Sequence, residues 1–542
     1  MTKRYSPEVQ QALARVLQVK IAHEEELLKL PGVHSVSVQP KRTGGRRTTE
    51  FAIVVHVVKK KGLGELKPNE TVPTVIDGVS TDVVESPLLR PSAAPSTDTD
   101  DNHYPHVLGG AEIVSDGMTR TTAGANPGQF TISRAKGTLG CLAINQATND
   151  PSKKAVALTN AHVLLDVAIT TTHDGAAVGQ PDTSSLCCKS LDHTIGHVDH
   201  DVQLTGVDEA ANPPPPLPTG VDAGFVTLDP EVQWSAEVIA SGVGDSITTE
   251  QIAGAHAVDG SEALFDFSSG TGVPIYAVHK RGIRTELTKG WLVAITTTAH
   301  LPYESLDRTV TKHLKFFNQL NIEPQDPTKF FALRGDSGSA VLNDSHQVIG
   351  LVYGVPADSD PPNSSVGACP IAEVQTRLGV LVADSATFPG VQTVPKPAAA
   401  PHAFAELPAE PAVIRKRMQT ARAELEHTEL GCQLDAALHR HFGEIRTLVN
   451  ANKRTAAIWR RIRGPAWISE ALQCLLDPGR RFPAQLEGRS LSDCFDRFAA
   501  VLYRYGSPGL VDDLKKLGPE LRSLAGRSYQ EMLAAWQMQV TT

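Results

Sequence analysis

One short segment, LRGDSGSAV at residues 333–341, places Ser337 between two glycines and directly behind an aspartate. A serine hydroxyl is a poor nucleophile at neutral pH, so it needs a histidine to take its proton and a carboxylate to orient that histidine. The glycines allow a tight backbone that aims the amides of Gly335 and Ser337 at one point, as an oxyanion hole requires. The segment therefore predicts acyl-transfer chemistry, and the alternative interpretation is a polar turn.

The middle of the chain supplies a histidine and an aspartate that suit these roles. His162 lies in VALTNAHVL, at the end of an apolar strand-like run, and Asp222 lies in GVDAGFVTL, at the start of another. We prefer Asp222 for this strand context, because Asp229 is followed by proline and is typical of a turn. Four nearby aspartates are the alternatives to Asp222: Asp199, Asp201, Asp208 and Asp229.

Together, TNAHV, VDAGF and GDSGSAV, in the order His, Asp, Ser, resemble the trypsin-like (chymotrypsin-fold) serine peptidases, and GTLGC (137–141) and HKRGIRTELTKGWLVAI (279–295) also match. The resemblance implies a double β-barrel with the triad at its seam. It implies that His162 is the general base, Asp222 its orienting partner and Ser337 the nucleophile. It further implies that the Gly335 and Ser337 amides form the oxyanion hole and that a buried Asp336 braces their loop. The front segment of the chain resembles intracellular bacterial and plant members with a small N-terminal α+β domain.

The chain departs from the secreted members of this family at two positions. Val163 stands where they carry a cysteine beside the histidine. Phe331 stands six residues before the serine, where an aspartate on the floor of the specificity pocket would select Lys or Arg. We therefore expect an uncharged side chain on the acyl side of the cleaved bond, unless Asp326 supplies the pocket carboxylate.

The segment YPHVLGGAEIV (104–114) resembles the site at which secreted zymogens are cleaved. Cleavage after His106 would free Val107 to pair with Asp336. A Gly-Gly turn before the first barrel strand is the simpler interpretation, and Asp336 then needs another partner, which the sequence does not identify.

The pattern of apolar residues predicts three folded regions. A helix begins at Ser6-Pro7-Glu8 and ends at Pro31-Gly32, and two strand-like runs follow it, separated by KRTGGRRTTE. Short β-branched runs with Gly, Pro and Asn turns then indicate an antiparallel barrel, interrupted by the polyproline loop ANPPPPLPTG, and the last region has a helical period. The predicted organisation is an α+β domain (1–90), a linker (91–105), an all-β double-barrel protease domain (106–392), a Pro/Ala-rich linker (393–411) and an all-α domain (412–542).

Composition limits the possible functions. The 542 residues carry a formal net charge of −9, with 41% hydrophobic and 20% charged residues, which suits a globular protein and does not favour nucleic-acid binding. The chain has no apolar run of the roughly 18 residues that span a bilayer, so we expect neither export nor membrane insertion, and a cytoplasmic location. The seven scattered cysteines suit reduced thiols.

Two further clusters have less specific interpretations. CCKSLDHTIGHVDHD (187–201) contains residue types that bind zinc, but it lacks paired C-x-x-C spacing, and we interpret it as a polar loop. NKRTAAIWRRIRGP is interpreted as a solvated helix face rather than a phosphate-binding surface. Their residues are Cys187, Cys188, His193, His197 and His200 in the first, and Lys453, Arg454, Arg460, Arg461 and Arg463 in the second.

The sequence as a whole predicts an intracellular serine endopeptidase that acts on protein or peptide substrates without a metal or an organic cofactor, because a triad and two amides suffice for acyl transfer. We expect the flanking domains to regulate it or to recruit partners, with the helical C-terminal domain as the surface for a regulatory protein. The alternative is a catalytically silent barrel that serves as a binding scaffold.

Overall fold

The computed structural model describes residues 3–91, 102–123, 130–168, 175–180, 193–198, 203–204, 207–208, 220–242, 246–305, 309–357, 359–361, 364–395, 411–425, 427–486 and 488–538. The polyproline loop and most of both predicted linkers lie outside these residues. Within the described part of the chain, no helix is both long enough and apolar enough to cross a membrane.

The N-terminal region begins as the sequence predicts. The Ser6 side chain accepts a hydrogen bond from the Val9 N–H at 3.5 Å and caps a helix with proline in its first turn. The predictions of this helix and of the two strands after it are confirmed. The elements are α1 (Pro7–Leu28), β1 (Val33–Thr43), β2 (Arg46–Val57), β3 (Val75–Ile76) and β4 (Val79–Glu85).

The central region is mainly β, as predicted. Its first half contains β5 (Val107–Gly109), β6 (Glu112–Ala123), β7 (Phe130–Thr138), β8 (Cys141–Asn145), β9 (Ala155–Thr159), α2 (Ala161–Leu164), β10 (Ala177–Gly179), β11 (Thr194–Val198), β12 (Gln203–Leu204), β13 (Val207–Asp208), β14 (Asp222–Leu228), β15 (Gln233–Ser241) and β16 (Thr248–Gln251). Its second half contains β17 (Phe265–Asp266), β18 (Val273–Pro274), β19 (Ala277–Gly282), β20 (Glu286–Glu304), β21 (Thr311–Pro324), β22 (Ala340–Asn343), β23 (Val348–Gly354), β24 (Val366–Pro370), α3 (Ile371–Leu378), β25 (Val380–Val382) and β26 (Val391–Thr393).

The second half of the central region closes into an antiparallel barrel. The strands follow the order β21-β24-β23-β22-β19-β20, and β20 pairs again with β21 to complete the circle. Besides β21, strand β20 is long enough for two more partners. Its first part pairs with β19, and its last part pairs with β1 at Ser35↔Ala299 and Val36↔Thr298. The N-terminal strands therefore continue the sheet of this barrel.

Buried contacts reinforce this junction. The Lys20 ammonium, on α1, donates to the Thr298 hydroxyl at 2.6 Å and forms an ion pair with Glu24, all within buried surroundings. At the other end, Glu323 accepts hydrogen bonds from Arg42 at 2.5 Å and Arg47 at 2.6 Å. One hydrophobic core contains side chains of α1, β1 and β2 together with side chains of the barrel.

Strands of the first half, together with β25 of the second half, form a second antiparallel sheet in the order β25-β8-β9-β14-β11-β10-β6-β7. One hydrophobic core consists mainly of side chains of this sheet. A separate core lies between the sheet and the barrel, with Leu158 and Phe225 from the sheet and Tyr303 and Tyr353 from the barrel. We call this boundary the seam. Tyr104, near the end of the predicted first linker, is also buried, in a small cluster with Leu108.

Helices dominate the last region. They are α4 (Pro411–Leu425), α5 (Glu429–Ala451), α6 (Lys453–Arg461), α7 (Gly464–Leu476), α8 (Leu491–Tyr505), α9 (Pro508–Ser523) and α10 (Tyr529–Met538), with a ribbon of β27 (Gln485–Leu486) and β28 (Arg489–Ser490). Arg460 and Arg461 are exposed on α6, in agreement with a solvated face.

Candidate active site

His162 and Asp222 meet at the end of two neighbouring strands. Strand β9 ends at Thr159 and leads into the short helix α2, which carries His162. Asp222 is the first residue of β14, which pairs with β9 at Gly224↔Thr159. His162 Nδ1 lies 2.5 Å from Asp222 Oδ2, and the His162 backbone N–H donates to Oδ1 at 3.2 Å. This carboxylate thus fixes both the ring and the backbone of the histidine.

Neutral groups surround the Asp222 carboxylate and its backbone. The Tyr303 hydroxyl, from the barrel side of the seam, donates to Oδ2 at 2.8 Å. Burial, and then the charge of Asp222, raise the pKa of Tyr303 well above its ordinary value, so the phenol stays protonated as a donor. The Asp222 N–H donates to Cys369 Sγ at 3.3 Å, and the Asn160 side-chain amide donates to the Asp222 carbonyl at 2.6 Å. Burial likewise raises the pKa of the Cys369 thiol and keeps it neutral.

The loop that carries Ser337 depends on its two glycines. Gly335 has φ +103° and Gly338 has φ +95°, a region that L side chains rarely adopt. A Cβ at Gly338 would also lie 2.2 Å from the Thr138 carbonyl oxygen and 2.2 Å from Thr159 Oγ1. The Thr138 N–H donates to the Ser337 carbonyl at 2.9 Å, and its hydroxyl donates to the Gly335 carbonyl at 2.9 Å. The serine loop is therefore tied to the strand ends of the neighbouring sheet.

Asp336 is fully buried beneath this loop and accepts hydrogen bonds on both carboxylate oxygens. Oδ1 accepts from the Arg284 N–H at 2.8 Å and the Thr285 N–H at 3.2 Å. Oδ2 accepts from the Leu333 N–H at 2.9 Å, the Thr285 hydroxyl at 2.7 Å and the Lys280 ammonium at 3.2 Å. Lys280 is fully buried too, and burial lowers the pKa of its amine while the charge of Asp336 opposes that change. Lys280 is thus the internal partner of Asp336 that the sequence did not identify.

The zymogen-like segment has a different place in this structure. Val107 is buried in β5, which runs parallel to β15 with Val107 opposite Trp234. Gly110 follows with φ +85° and turns the chain into β6. Because Lys280 already pairs with Asp336, the described chain contains the ion pair that a freed N-terminus would otherwise supply.

The structure brings the serine loop next to the strand that leads to His162. Gly338 packs on Thr159, at the end of β9, and α2 follows directly. Ser337 has no exposed surface, and His162 is 4% exposed. His162 Nε2 is buried and forms no hydrogen bond within the described part of the chain. With Nδ1 committed to Asp222, Nε2 is the ring atom left to accept a proton.

The structure also locates most of the remaining predicted site residues. Phe331 is fully buried, with its ring centroid 5.9 Å from Lys280 Nζ, and its role in specificity stays a prediction. Asp326 is exposed and caps a turn by accepting from the Thr328 N–H at 2.9 Å. Among the alternatives to Asp222, Asp229 accepts a hydrogen bond from His197 at 2.9 Å. Asp199 and Asp201 lie outside the described residues, and Asp208 lies on β13.

The cysteine- and histidine-rich segment is only partly described. The His193 ring packs against that of His103 at a tilt of 34°, with centroids 3.9 Å apart, and His197 pairs with Asp229. Cys187, Cys188 and His200 lie outside the described residues.

Sequence reasoning missed Tyr303 and Lys280, the two side chains that hold the buried carboxylates. Lys280 left a weak signal, because in β19 it shares its strand face with the buried Val278, and a lysine at an inward position needs a partner. Tyr303 left no signal that we can identify, since a tyrosine at the end of an apolar strand is ordinary.

Comparison with known proteins gives structural similarity alone. No protein-family model and no curated protein sequence matches the chain. The structure is similar to a chymotrypsin of Cellulomonas bogoriensis (15% identity, TM-score 0.29, covering 52% of this chain and 99% of that one). It is also similar to Protease A of Thermobifida fusca (12%, 0.29, 52% and 99%) and to a glutamic acid specific serine protease (16%, 0.28, 51% and 100%).

Proposed function

We propose that this protein is a serine endopeptidase in which Ser337, His162 and Asp222 act as the catalytic triad. The observation that carries the proposal is the buried contact between His162 and Asp222, at the seam where the braced serine loop packs. A histidine held by a carboxylate through Nδ1, next to a Gly-Asp-Ser-Gly loop, has the arrangement that acyl transfer requires.

In the proposed reaction, Ser337 Oγ attacks the carbonyl carbon of the peptide bond while His162 Nε2 takes the hydroxyl proton. Asp222 holds the ring in the tautomer that leaves Nε2 free to accept and stabilises the imidazolium that forms. The same proton then passes to the departing amine, and an acyl-enzyme remains. Water, deprotonated by His162, attacks the ester and releases the acid, and Ser337 recovers its proton.

The oxyanion of each tetrahedral intermediate would bind the N–H groups of Gly335 and Ser337. Such donors stabilise a transition state only if they are already in place, and removing one typically costs about 3–4 kcal/mol. The bonds to Asp336 and the positive φ of Gly335 support a formed loop rather than a collapsed one. This favours the enzyme over the silent-scaffold alternative, which needs a collapsed loop.

The decisive experiment is labelling with a fluorophosphonate probe, since only an activated serine reacts. We expect the purified chain to be labelled and to cleave peptides, and Ser337→Ala to abolish both with nearly unchanged thermal stability, because it removes one oxygen. His162→Ala should also abolish labelling, although Ser337 is still present. An unlabelled wild-type chain, or a Ser337→Ala variant that still cleaves, would contradict the proposal.

We also propose a preference for an uncharged side chain on the acyl side of the cut, on the basis of Phe331. Cleavage of a whole-proteome peptide library tests this directly. A profile dominated by Lys or Arg would place the pocket carboxylate elsewhere and would refute the assignment of Phe331.

For the helical region we propose a regulatory or partner-binding role. It lies close to the sheet that contains β10, where a Cβ at Gly175 would be 3.3 Å from the Arg440 carbonyl oxygen of α5. Peptide cleavage by the chain ending at residue 395, compared with the full chain after matching for folding by circular dichroism, measures any restraint. Equal kcat/KM would leave recruitment as the role of the helices.

A further inference from the structure

Three metal-ligating side chains converge away from the triad, on elements that are distant in sequence. Glu250 lies on β16, His279 on β19, and His346 in the turn between β22 and β23. Each offers one ligand atom, and the three atoms lie within 4.8 Å of one another. Glu250 Oε1 is 2.6 Å from His279 Nε2, and Oε2 is 3.4 Å from His346 Nδ1.

Strand periodicity directs two of these side chains toward each other. In β19, Val278 and Lys280 are buried on one strand face, and His279 projects from the opposite one. In β16, Glu250 is half-buried while the other three residues of the strand are exposed. Glu250 and His279 therefore meet between the small sheet of β15 and β16 and the closed barrel.

The turn fixes the third side chain. His346 adopts φ +56°, a left-handed conformation that is uncommon for histidine. Its N–H donates to the Asn343 carbonyl at 2.9 Å, and its own carbonyl accepts from the Ala253 N–H at 2.9 Å. These backbone bonds tie the turn to the segment that follows β16, and so they hold the His346 ring beside Glu250.

The donor set has the chemistry of a zinc site. Two imidazole nitrogens and one carboxylate are common Zn²⁺ ligands, and around a tetrahedral ion with bonds of about 2.0–2.1 Å neighbouring donors lie about 3.3 Å apart. The His346 side chain is 53% exposed, so an ion can enter from solvent.

We propose that Glu250, His279 and His346 bind one Zn²⁺ ion, with the fourth position open to water. The ion would cross-link the β15–β16 ribbon to two parts of the barrel. One of them is β19, where His279 directly precedes Lys280, the partner of Asp336. The proposal does not depend on the peptidase assignment, because binding can be measured without any substrate.

The test is zinc binding by the full chain after removal of metal with EDTA and dialysis. Isothermal titration with Zn²⁺ should reveal a site that Glu250→Gln and His346→Asn each weaken at least about tenfold, since losing a ligand costs no less than losing one of its outer partners. Asparagine suits the left-handed backbone at position 346, so this variant removes the ligand without adding strain. Co²⁺ in place of Zn²⁺ should give the visible absorption of a tetrahedral site in the wild type and lose it in both variants.

The matched control is His256→Asn. His256 also pairs with a glutamate, Glu262, at 3.0 Å, but it lies outside the three-residue cluster. Its zinc isotherm should match that of the wild type. A wild-type chain that binds no zinc, or Glu250→Gln and His346→Asn isotherms that match the wild type, would overturn the proposal and leave a group of surface hydrogen bonds.

Discussion

Two buried aspartates, one on each side of the seam, hold the two halves of the candidate site by different means. Asp222 contacts His162, and its carboxylate accepts from the neutral hydroxyl of Tyr303. Asp336 contacts a buried ammonium, that of Lys280, in addition to hydroxyl and backbone donors. Both aspartates are 0% exposed, so the partners rather than solvent decide what each carboxylate does.

Under the proposed function, the partners of the two aspartates differ because the two carboxylates have different roles. A buried carboxylate with a purely structural role is least costly when a cation neutralises it. A carboxylate that must stabilise a developing imidazolium would be weakened by a lysine beside it, because the lysine would already compensate its charge. Neutral donors position Asp222 and leave its charge for His162. Under the proposed function, one residue type, equally buried, serves catalysis or structure according to the charge of its partners.

The strongest way to break this comparison is to remove the charge of Asp222. Asp222→Asn keeps the volume but cannot orient and stabilise the imidazolium, and we expect kcat to fall on the order of 10⁴-fold. Measurement of kcat on a peptide substrate checks this. The control is Asp229→Asn, in another described His–Asp pair, with His197, which should leave kcat unchanged. A fall of less than about tenfold in Asp222→Asn would mean that Asp222 does not have this role.

Removing the Lys280 ammonium, which pairs with Asp336, should mainly lower the free energy of unfolding. Lys280→Met leaves Asp336 as an uncompensated buried charge, and breaking a buried pair in this way costs about 3–5 kcal/mol. Urea unfolding measures the loss, and the loosened loop should also lower fluorophosphonate labelling.

The matched variant for this prediction is Lys20→Met, which breaks the other described buried lysine pair, with Glu24. It should destabilise the chain while the folded fraction keeps its labelling rate, since that pair lies at the junction with β20. If Lys280→Met unfolds at the wild-type urea concentration, Asp336 does not depend on its lysine.

The smallest expected effect is that of removing the Tyr303 hydroxyl, the neutral donor to Asp222. Tyr303→Phe removes one hydrogen bond to a charged group, worth about 1.5–3 kcal/mol, and we expect kcat to fall about tenfold with little change in KM. Tyr353→Phe is the control, because Tyr353 is equally buried and its hydroxyl has no hydrogen-bond partner in the described part of the chain. Equal kcat in the two variants would show that Tyr303 does not position Asp222.

Local patterns in the sequence predicted the elements and the residue types of the site. Ser6 and Pro7 start α1 as a cap and a first-turn proline should, and the glycines around Ser337 have the positive φ that their loop requires. The choice of Asp222 rested on its position at a strand start, and the structure places it beside His162.

Partners that meet across the fold could not be predicted in this way. Lys280 and Asp336 are 56 residues apart, and Tyr303 and Asp222 are 81 residues apart. Nothing local to these residues indicates the pairing, because burial and direction are set by the closed barrel. The same holds for Glu250, His279 and His346, which lack the close spacing by which metal sites are usually found in a sequence.

The continuation of the barrel sheet by β1 has a consequence for how the chain is made. Lys20 and Thr298, which meet at this junction, are 278 residues apart, so β1 is synthesised well before β20, the strand that covers its edge. Pairing over such a separation is slow, and an uncovered strand edge invites association with other chains. We therefore expect the hairpin of β1 and β2 to be open to such association during synthesis until β20 has been made.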